Sequence, residues 1–298
     1  SNDGAFYDRI FAYRFTESSG WAVENGGAEV SALWNASTGV GYDAFEPAIA
    51  CAPGQSPVVA WIETDDAAEE DKDVFLRPLS GSPSARINSV SELGTGARNV
   101  DVIMDAQGRV YVAHFEEAED ATFTTNLVVT RYSGGGAAQL GAMIDQDQDT
   151  NNLSAPSLAL SASGDLYLAW SAERAGDNAR HVYVAVWTDE WTELGGGPVT
   201  AFGSAHFDSA NPDVLLVNDI PTVAWGEANE VEGHFIFVAQ FKAEGWQIEG
   251  DRLNVQTSRS ATDPTLAYSP SEDALYVAFE ENVDGYPQIF VKRRVGGW

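Results

Sequence analysis

The stretch PSLALSASGDLYLAWSAE, residues 156–173, decides the fold of this chain. Two runs of alternating or apolar residues flank a Ser-Gly-Asp turn, and this pattern predicts a β-hairpin. Nearly the same pattern starts at Pro47, Val100, Pro212 and Pro264, so that the copies follow one another at steps of 52 to 56 residues. A repeat of this period indicates an architecture built from stacked, equivalent units.

Each copy continues in the same way. After a polar loop comes a third apolar strand, and the five third strands read DVFLRPL, NLVVTRY, HVYVAVW, FIFVAQF and QIFVKRR. In three copies a tryptophan then opens a fourth strand (Trp191, Trp246 and Trp298). Four short antiparallel strands in each of five equally spaced units predict an all-β fold, a β-propeller with blades of about 53 residues. A sandwich does not need equal spacing, and a helical repeat would show a 3.6-residue period.

The two ends of the chain resemble each other. Residues 1–21 match residues 281–298, so the chain opens just before a third strand and closes as a fourth strand begins. We therefore expect one propeller domain over residues 1–298. Residues 1–46 would form an outer half-blade and crossover, and five full units would start near residues 47, 100, 156, 212 and 264. A five-bladed and a six-bladed ring both remain possible. The incomplete terminal blade would offer a strand edge for a partner strand or for self-association.

The motifs G-W-x-x-L-G-G, P-x-L-A, G-x-x-Y-V-A-W-x-E and I-F-V resemble the repeats of secreted or lipid-anchored bacterial β-propeller proteins. The resemblance covers nearly the whole chain. It implies the architecture and a secreted, extracellular or cell-surface location. It implies almost nothing about activity, because propellers serve as lectins, hydrolases and scaffolds alike.

The composition excludes several classes of partner. The chain has 45 acidic and 16 basic residues, a net charge of −29, so nucleic acid is a poor ligand. Such a surface suits an extracellular setting, cation binding or a basic partner. No run of eighteen apolar residues is present, so we expect no transmembrane segment. Cys51 is the one cysteine, which excludes an internal disulfide, and its apolar neighbours predict a buried thiol.

Carboxylates recur at the end of the second strand. Antiparallel geometry places the loops between strands two and three on the same face as the crossovers between units, and these loops are rich in Asp and Glu. A glutamate stands two residues after the aromatic position in four units, whereas the third unit has Ala172 there and its acid one place later. The resulting candidate ligand-binding residues are Glu63, Glu116, Glu173, Glu227 and Glu281. A ring of such carboxylates could bind Ca²⁺ or sugar hydroxyls. Alternatively, each glutamate caps its own loop or bonds a neighbouring blade.

The segment IDQDQDTNN, residues 144–152, contains three alternating aspartates. Alternate carboxylates in an irregular loop can converge on one cation, so Asp145, Asp147 and Asp149 are candidate Ca²⁺ ligands. The glycine and flanking helices of an EF-hand are missing. An ordinary polar crossover is therefore the alternative.

The aromatic position that ends the second strand recurs in every unit, as Trp61, His114, Trp170, Trp225 and Phe279. Packing between adjacent blades accounts for such recurrence more simply than stacking on a sugar.

The sequence favours a secreted, non-enzymatic protein that binds a glycan, a protein ligand or Ca²⁺ on its acidic loop face. It contains no Ser-His-Asp pattern, nucleophile elbow or phosphate-binding loop, and its units remain close copies. Two alternatives stay open. One is a glycoside hydrolase in which Asp or Glu residues of different blades meet at the axis. The other is a structural subunit of an extracellular assembly.

Overall fold

β-Strands make up nearly all of the regular structure. The computed structural model describes residues 8–23, 30, 43–64, 72–80, 85–86, 94–118, 125–134, 136–142, 144–146, 156–174, 177–203, 206–229, 233–243, 245–256 and 259–295. Within these ranges the one helical segment is a 3₁₀ turn, Leu194–Gly196. No helix in the described ranges is long and apolar enough to cross a membrane. By its internal contacts the chain divides into two compact units, Ser1–Asp145 and Gln146–Trp298, and the prediction of a single domain stays a prediction.

The first unit contains a hairpin and two groups of four strands. The hairpin pairs β1 (Tyr13–Thr16) with β2 (Gly20–Val23). The first group is β3 (Ala44–Ala50), β4 (Val58–Thr64), β5 (Lys72–Pro78) and β6 (Ala85–Arg86). The second group is β7 (Gly94–Met104), β8 (Val110–Ala118), β9 (Thr125–Ser133) and β10 (Gly136–Gln139). A parallel pairing of Lys72 with Gly96 joins the two groups, and β11 (Ile144–Gln146) pairs with β9.

The second unit contains three antiparallel sheets. The third sheet of the chain is β12 (Ser157–Leu160), β13 (Leu166–Arg174), β14 (Asp177–Trp187) and β15 (Trp191–Glu193). The fourth is β16 (His206–Val217), β17 (Ile220–Asn229), β18 (Gly233–Lys242) and β19 (Gly245–Ile248). The fifth is β20 (Ala261–Ser269), β21 (Ala274–Val283) and β22 (Tyr286–Val295).

These sheets confirm the repeat that the sequence predicts. Every copy forms the hairpin of strands one and two, followed by the third strand. Trp191 and Trp246 lie in fourth strands, and Trp298 lies outside the described residues. The hairpin β1–β2 lies within the predicted outer half-blade at residues 1–46.

Within each unit the core lies between successive sheets. The fourth sheet is covered on both faces, and every residue of β17 from Pro221 to Ala228 is buried. One apolar cluster joins Ala169 and Val184 of the third sheet to Trp225 and Phe235 of the fourth. Because β17 is covered on both faces, its apolar residues follow one another, as in Val223–Ala224–Trp225, instead of alternating with polar ones.

The Leu-Gly-Gly motif is explained by contact between the third and fourth sheets. The indole Nε1 of Trp246 donates a hydrogen bond to the carbonyl of Leu194, at 3.1 Å. A Cβ at Gly195 would lie 3.1 Å from the Trp246 ring, and the backbone there has a φ of +83°. Only glycine meets both conditions without strain.

Two local predictions need correction. In the second and fourth sheets the first strand begins before the repeat start that the sequence indicated, since β7 begins at Gly94 rather than near Val100 and β16 at His206 rather than near Pro212. A bulge around the repeat start lets pairing continue upstream. Cys51 is exposed rather than buried, because β3 ends at Ala50 and the chain then turns.

Candidate functional site

Glu227 shows most completely how the recurring carboxylates are used. Its side chain is fully buried near the end of β17. It accepts hydrogen bonds from Trp225 Nε1 at 2.7 Å and from Thr200 Oγ1 at 2.5 Å. The backbone amides of Ala201 and Phe202 donate to it at 2.8 and 3.1 Å. Glu227 thus fastens the crossover that leads from the third sheet into its own sheet.

Glu281 plays the same part in the fifth sheet. It is fully buried and accepts hydrogen bonds from the amides of Val255 and Gln256, at 2.6 and 2.7 Å. These residues belong to the crossover between the fourth and fifth sheets. The aromatic partner here is Phe279, whose ring has no N–H to donate.

Glu63 and Glu116 repeat the contact with the preceding aromatic residue. Trp61 Nε1 donates to Glu63 at 2.8 Å, and His114 Nε2 lies 2.8 Å from Glu116 Oε1. Residues i and i+2 of a strand share one face, so the spacing brings the two side chains together. Both carboxylates are buried, with 3% and 6% of their surface exposed.

The third sheet departs from this pattern. Ala172 occupies the usual glutamate position, and Glu173 is half-buried one residue later. Trp170 is buried like its equivalents and stacks on Tyr183, with ring centroids 5.5 Å apart. Its Nε1 is a buried donor without a hydrogen-bond partner in the described structure.

The backbone contacts of Glu227 and Glu281 are of the kind expected in the second alternative, in which each glutamate caps its own loop or bonds a neighbouring blade. Burial also places the whole aromatic position in the interior, with Trp61, His114 and Trp225 at 0% exposure. This burial confirms that the residues at the aromatic position serve in packing. Ligand binding by Glu63, Glu116, Glu173, Glu227 and Glu281 stays a prediction.

The candidate calcium segment lies largely outside the described residues. Asp147 and Asp149 fall in an undescribed stretch, and of Asp145 only the backbone, in β11, is described. Most of the acidic loops between strands two and three are likewise undescribed. In the parts of the chain that are described, no three His, Cys, Asp or Glu side chains form a group suited to a metal ion.

A different set of polar residues marks the first strands of four sheets. Glu46, Asn99, Asn211 and Asp263 have φ angles of 51°, 54°, 52° and 53°. Each lies at a bulge where the register with the second strand shifts. Left-handed backbone is uncommon outside glycine, although Asn and Asp tolerate it better than other residues. We call these four residues the first-strand row.

Members of the row are bonded in pairs within each unit. The amide of Asn99 donates to Glu46 Oε2 at 2.5 Å, and the side-chain amide of Asn211 donates to Asp263 Oδ1. Glu46 and Asp263 are exposed, while both asparagines are half-buried. Within each unit, first strands of neighbouring sheets therefore lie side by side and present one accessible carboxylate.

Asp213 lies two residues beyond Asn211 and links three sheets. It accepts hydrogen bonds from Ser157 Oγ at 2.8 Å, from Thr265 Oγ1 at 3.0 Å and from the amide of Leu266 at 2.6 Å. The donors come from the third and fifth sheets. These hydrogen bonds hold the first strands of the third, fourth and fifth sheets against one another. They thereby support Asn211 and Asp263, the members of the row in the fourth and fifth sheets.

Sequence reasoning did not single out the first-strand row. A signal was present, because an acid or amide directly precedes the residue that opens four of the five repeats, as in Glu46-Pro47 and Asp263-Pro264. Proline cannot donate to a β-ladder, so its place at the start of four of the five repeats is a signal for a bulge.

Comparisons with known proteins bear on the fold. No protein-family model and no curated protein matches the sequence. The structure is similar to a Penicillium chrysogenum α-L-arabinanase complexed with arabinobiose, with a TM-score of 0.55 at 14% identity over 80% of this chain and 77% of that one. It is similar to a Trypanosoma rangeli sialidase, with a TM-score of 0.57 at 10% identity over 92% of this chain and 47% of the sialidase. For a Bacillus megaterium levansucrase variant the TM-score is 0.50 at 10% identity, over 98% and 87%.

Likeness at such low identity establishes the fold and not the activity. The all-β fold and its β-propeller class are confirmed, and the fold resembles that of carbohydrate-active enzymes.

Proposed function

We propose that this chain is a carbohydrate-active β-propeller with a candidate glycan site at each bonded pair of the first-strand row, Glu46 with Asn99 in the first unit and Asp263 with Asn211 in the second. One observation carries the proposal: the exposed carboxylates Glu46 and Asp263 stand at left-handed backbone positions and are held by Asn99 and Asn211. Residues in such conformations persist where the surroundings over-determine them, and they cluster at ligand sites. Carboxylates accept hydrogen bonds and amides both donate and accept, which suits sugar hydroxyls.

Glycoside hydrolysis is the activity favoured for this site. The similar solved structures include an arabinanase, a sialidase and a levansucrase, which supports this choice. Hydrolysis requires an acid that protonates the leaving oxygen and a second carboxylate that acts as nucleophile or base. Glu46 within the first unit and Asp263 within the second are separate candidates for such a carboxylate because each is exposed. Asp213 already accepts three hydrogen bonds and would position Asp263.

The experiment measures sugar release from arabinan, sialyllactose and levan. We expect the wild type to hydrolyse at least one of them. We expect Glu46→Gln or Asp263→Asn to lower the rate by at least about 100-fold, the usual contribution of a general acid or base. Glu190→Gln, at an exposed acid in the turn after β14, is the matched control and should change nothing.

Glycan binding without turnover is the second candidate function. It is favoured because the recurring glutamates are buried and hydrogen-bonded in similar ways in different sheets, which makes the sheets close copies of one another. Close copies suit repeated binding better than one asymmetric active site. Binding that Asp263→Asn abolishes, in a protein that hydrolyses none of the three substrates, would support it. If the chain neither binds nor hydrolyses these glycans, both candidates are wrong.

Calcium binding by Asp145, Asp147 and Asp149, a secreted or cell-surface location, and association through the terminal strand edge stay predictions. For calcium, the melting temperature of chelator-treated protein should rise when Ca²⁺ is added. Asp147→Asn should remove the rise. An unchanged melting temperature would contradict the calcium site.

A further inference from the structure

A pocket of about 200 Å³ lies between the fourth and fifth sheets, at the ends of the strands opposite the crossovers. Five polar side chains line it, those of Asn218, Gln240, Tyr268, Asp273 and Arg294, together with the apolar residues Val217, Ile220 and Leu275. All of them belong to the second unit. The pocket is therefore separate from the first-strand bulges, which lie at the other ends of β16 and β20.

The first unit has a matching pocket of about 190 Å³ between its two groups of strands. The two pockets differ in chemistry at equivalent positions. Pro78 stands where the second unit has Gln240, and the cross-strand set Met104–Val110–Tyr132 stands where it has Tyr268–Leu275–Arg294. In the third sheet the same set is Leu160–Leu166–Trp187.

The pocket of the second unit thus has an amide, Gln240, where the first unit has Pro78, and a phenol with a guanidinium where the first unit has Met104 and Tyr132. The fold does not require this combination, because the second and third sheets have Met104–Val110–Tyr132 and Leu160–Leu166–Trp187 at the same place. A ligand that hydrogen-bonds to these groups would account for it.

The polar groups of the pocket are held in place before any ligand arrives. Tyr268 Oη lies 2.7 Å from Asp273 Oδ1 and 2.9 Å from Asn218 Oδ1. Gln240 Nε2 donates to Thr222 Oγ1 at 3.1 Å, which leaves its carbonyl oxygen directed elsewhere. The pocket thus contains both donors and acceptors, as recognition of a hydroxyl-rich molecule requires.

The charges around the pocket cancel. Arg294 forms an ion pair with Glu249 at 2.5 Å, and Lys242 pairs with the same carboxylate. The charged side chains that line the pocket are Asp273 and Arg294, one of each sign, in a chain whose net charge is −29. The hydrogen bond to Asp273 raises the pKa of Tyr268, so its hydroxyl stays protonated at neutral pH. Balanced charge favours a neutral ligand over an anion or a cation.

We propose that this pocket binds one neutral sugar ring. Its volume equals that of about seven waters at ~30 Å³ each, which suits a single ring and not a chain. The Tyr268 ring offers an apolar face for stacking, and Asp273, Gln240 and Arg294 meet the hydroxyls. The site does not depend on the function proposed for the first-strand row.

The experiment is saturation-transfer NMR with L-arabinose, D-galactose and D-glucose, together with glucuronate and glucosamine as charged counterparts. The test variants are Asp273→Asn and Tyr268→Phe. Asp273 is exposed with a φ of 47°, which asparagine tolerates, so the first variant keeps the turn. Tyr132→Phe, in the matching pocket of the first unit, is the control.

We expect at least one neutral sugar to bind with a millimolar dissociation constant, and Asp273→Asn to weaken it at least tenfold. Tyr132→Phe and Asp263→Asn should leave this binding unchanged. The proposal is overturned if no neutral sugar binds, if the charged sugars bind as well, or if Asp273→Asn has no effect. Loss of binding in Asp263→Asn with retention in Asp273→Asn would assign the sugar to the first-strand row instead.

Discussion

Replacing Glu227 with alanine tests whether the recurring glutamates hold the crossovers. The carboxylate is fully buried and receives hydrogen bonds from Trp225, Thr200, Ala201 and Phe202. Each hydrogen bond to a charged group contributes about 1.5–3 kcal/mol. The donors in the crossover can regain water, so the loss is smaller than the sum. We expect Glu227→Ala to lower the free energy of unfolding by about 3–5 kcal/mol.

The assay combines urea denaturation with hydrogen exchange of the peptide that covers residues 199–203. The amides of Ala201 and Phe202 donate to the carboxylate, so their exchange should accelerate in the variant. Glu227→Gln keeps the volume and one acceptor oxygen, and should cost about half as much. Glu190→Ala, at an exposed position, should stay within about 0.5 kcal/mol of the wild type. If Glu227→Ala costs less than about 1 kcal/mol, or if exchange at residues 199–203 is unchanged, the reasoning is refuted.

Three further predictions follow from single contacts. Trp225→Phe should cost about 1–3 kcal/mol more than Trp170→Phe in urea denaturation, because only the first removes a hydrogen bond; equal costs would contradict this. Burial raises the pKa of Asp105, but hydrogen bonds from Arg109 and the backbone outweigh it, and the pKa lies below its ordinary 3.8. Asp105→Asn should therefore lower the melting temperature at neutral pH, and the difference should shrink as the pH falls below about 3.8 towards the folded-state pKa; a pH-independent difference would argue against the contact. Asp213→Ala should lower the free energy of unfolding by about 2–3 kcal/mol in urea denaturation, because it removes the hydrogen bonds that link the fourth sheet to the third and fifth. An unchanged free energy of unfolding would show that Asp213 does not link these sheets.

The repeat could be predicted from sequence because its signals are local. Alternating apolar residues, the Ser-Gly-Asp turn and the tryptophan that opens the fourth strand each act within one unit. The role of Leu-Gly-Gly could not be predicted from its own repeat, because the residue that requires Gly195 is Trp246 of the fourth sheet.

The candidate site was harder to predict, because side-chain direction decides it. The aromatic-x-Glu spacing singled out glutamates of which Glu63, Glu116, Glu227 and Glu281 are buried. A buried indole N–H usually has an acceptor, so Trp61 and Trp225 could have indicated that the glutamates point inward. The first-strand row depends on bulges that pattern counting treats as ordinary strand.

The most direct test of the central claim is a crystal structure of the protein soaked with arabinobiose, sialyllactose or a levan oligosaccharide. The account predicts an ordered sugar within hydrogen-bonding distance of Glu46 or Asp263, with Asn99 or Asn211 as the second contact. Crystals in which none of the three sugars occupies the first-strand row would contradict it.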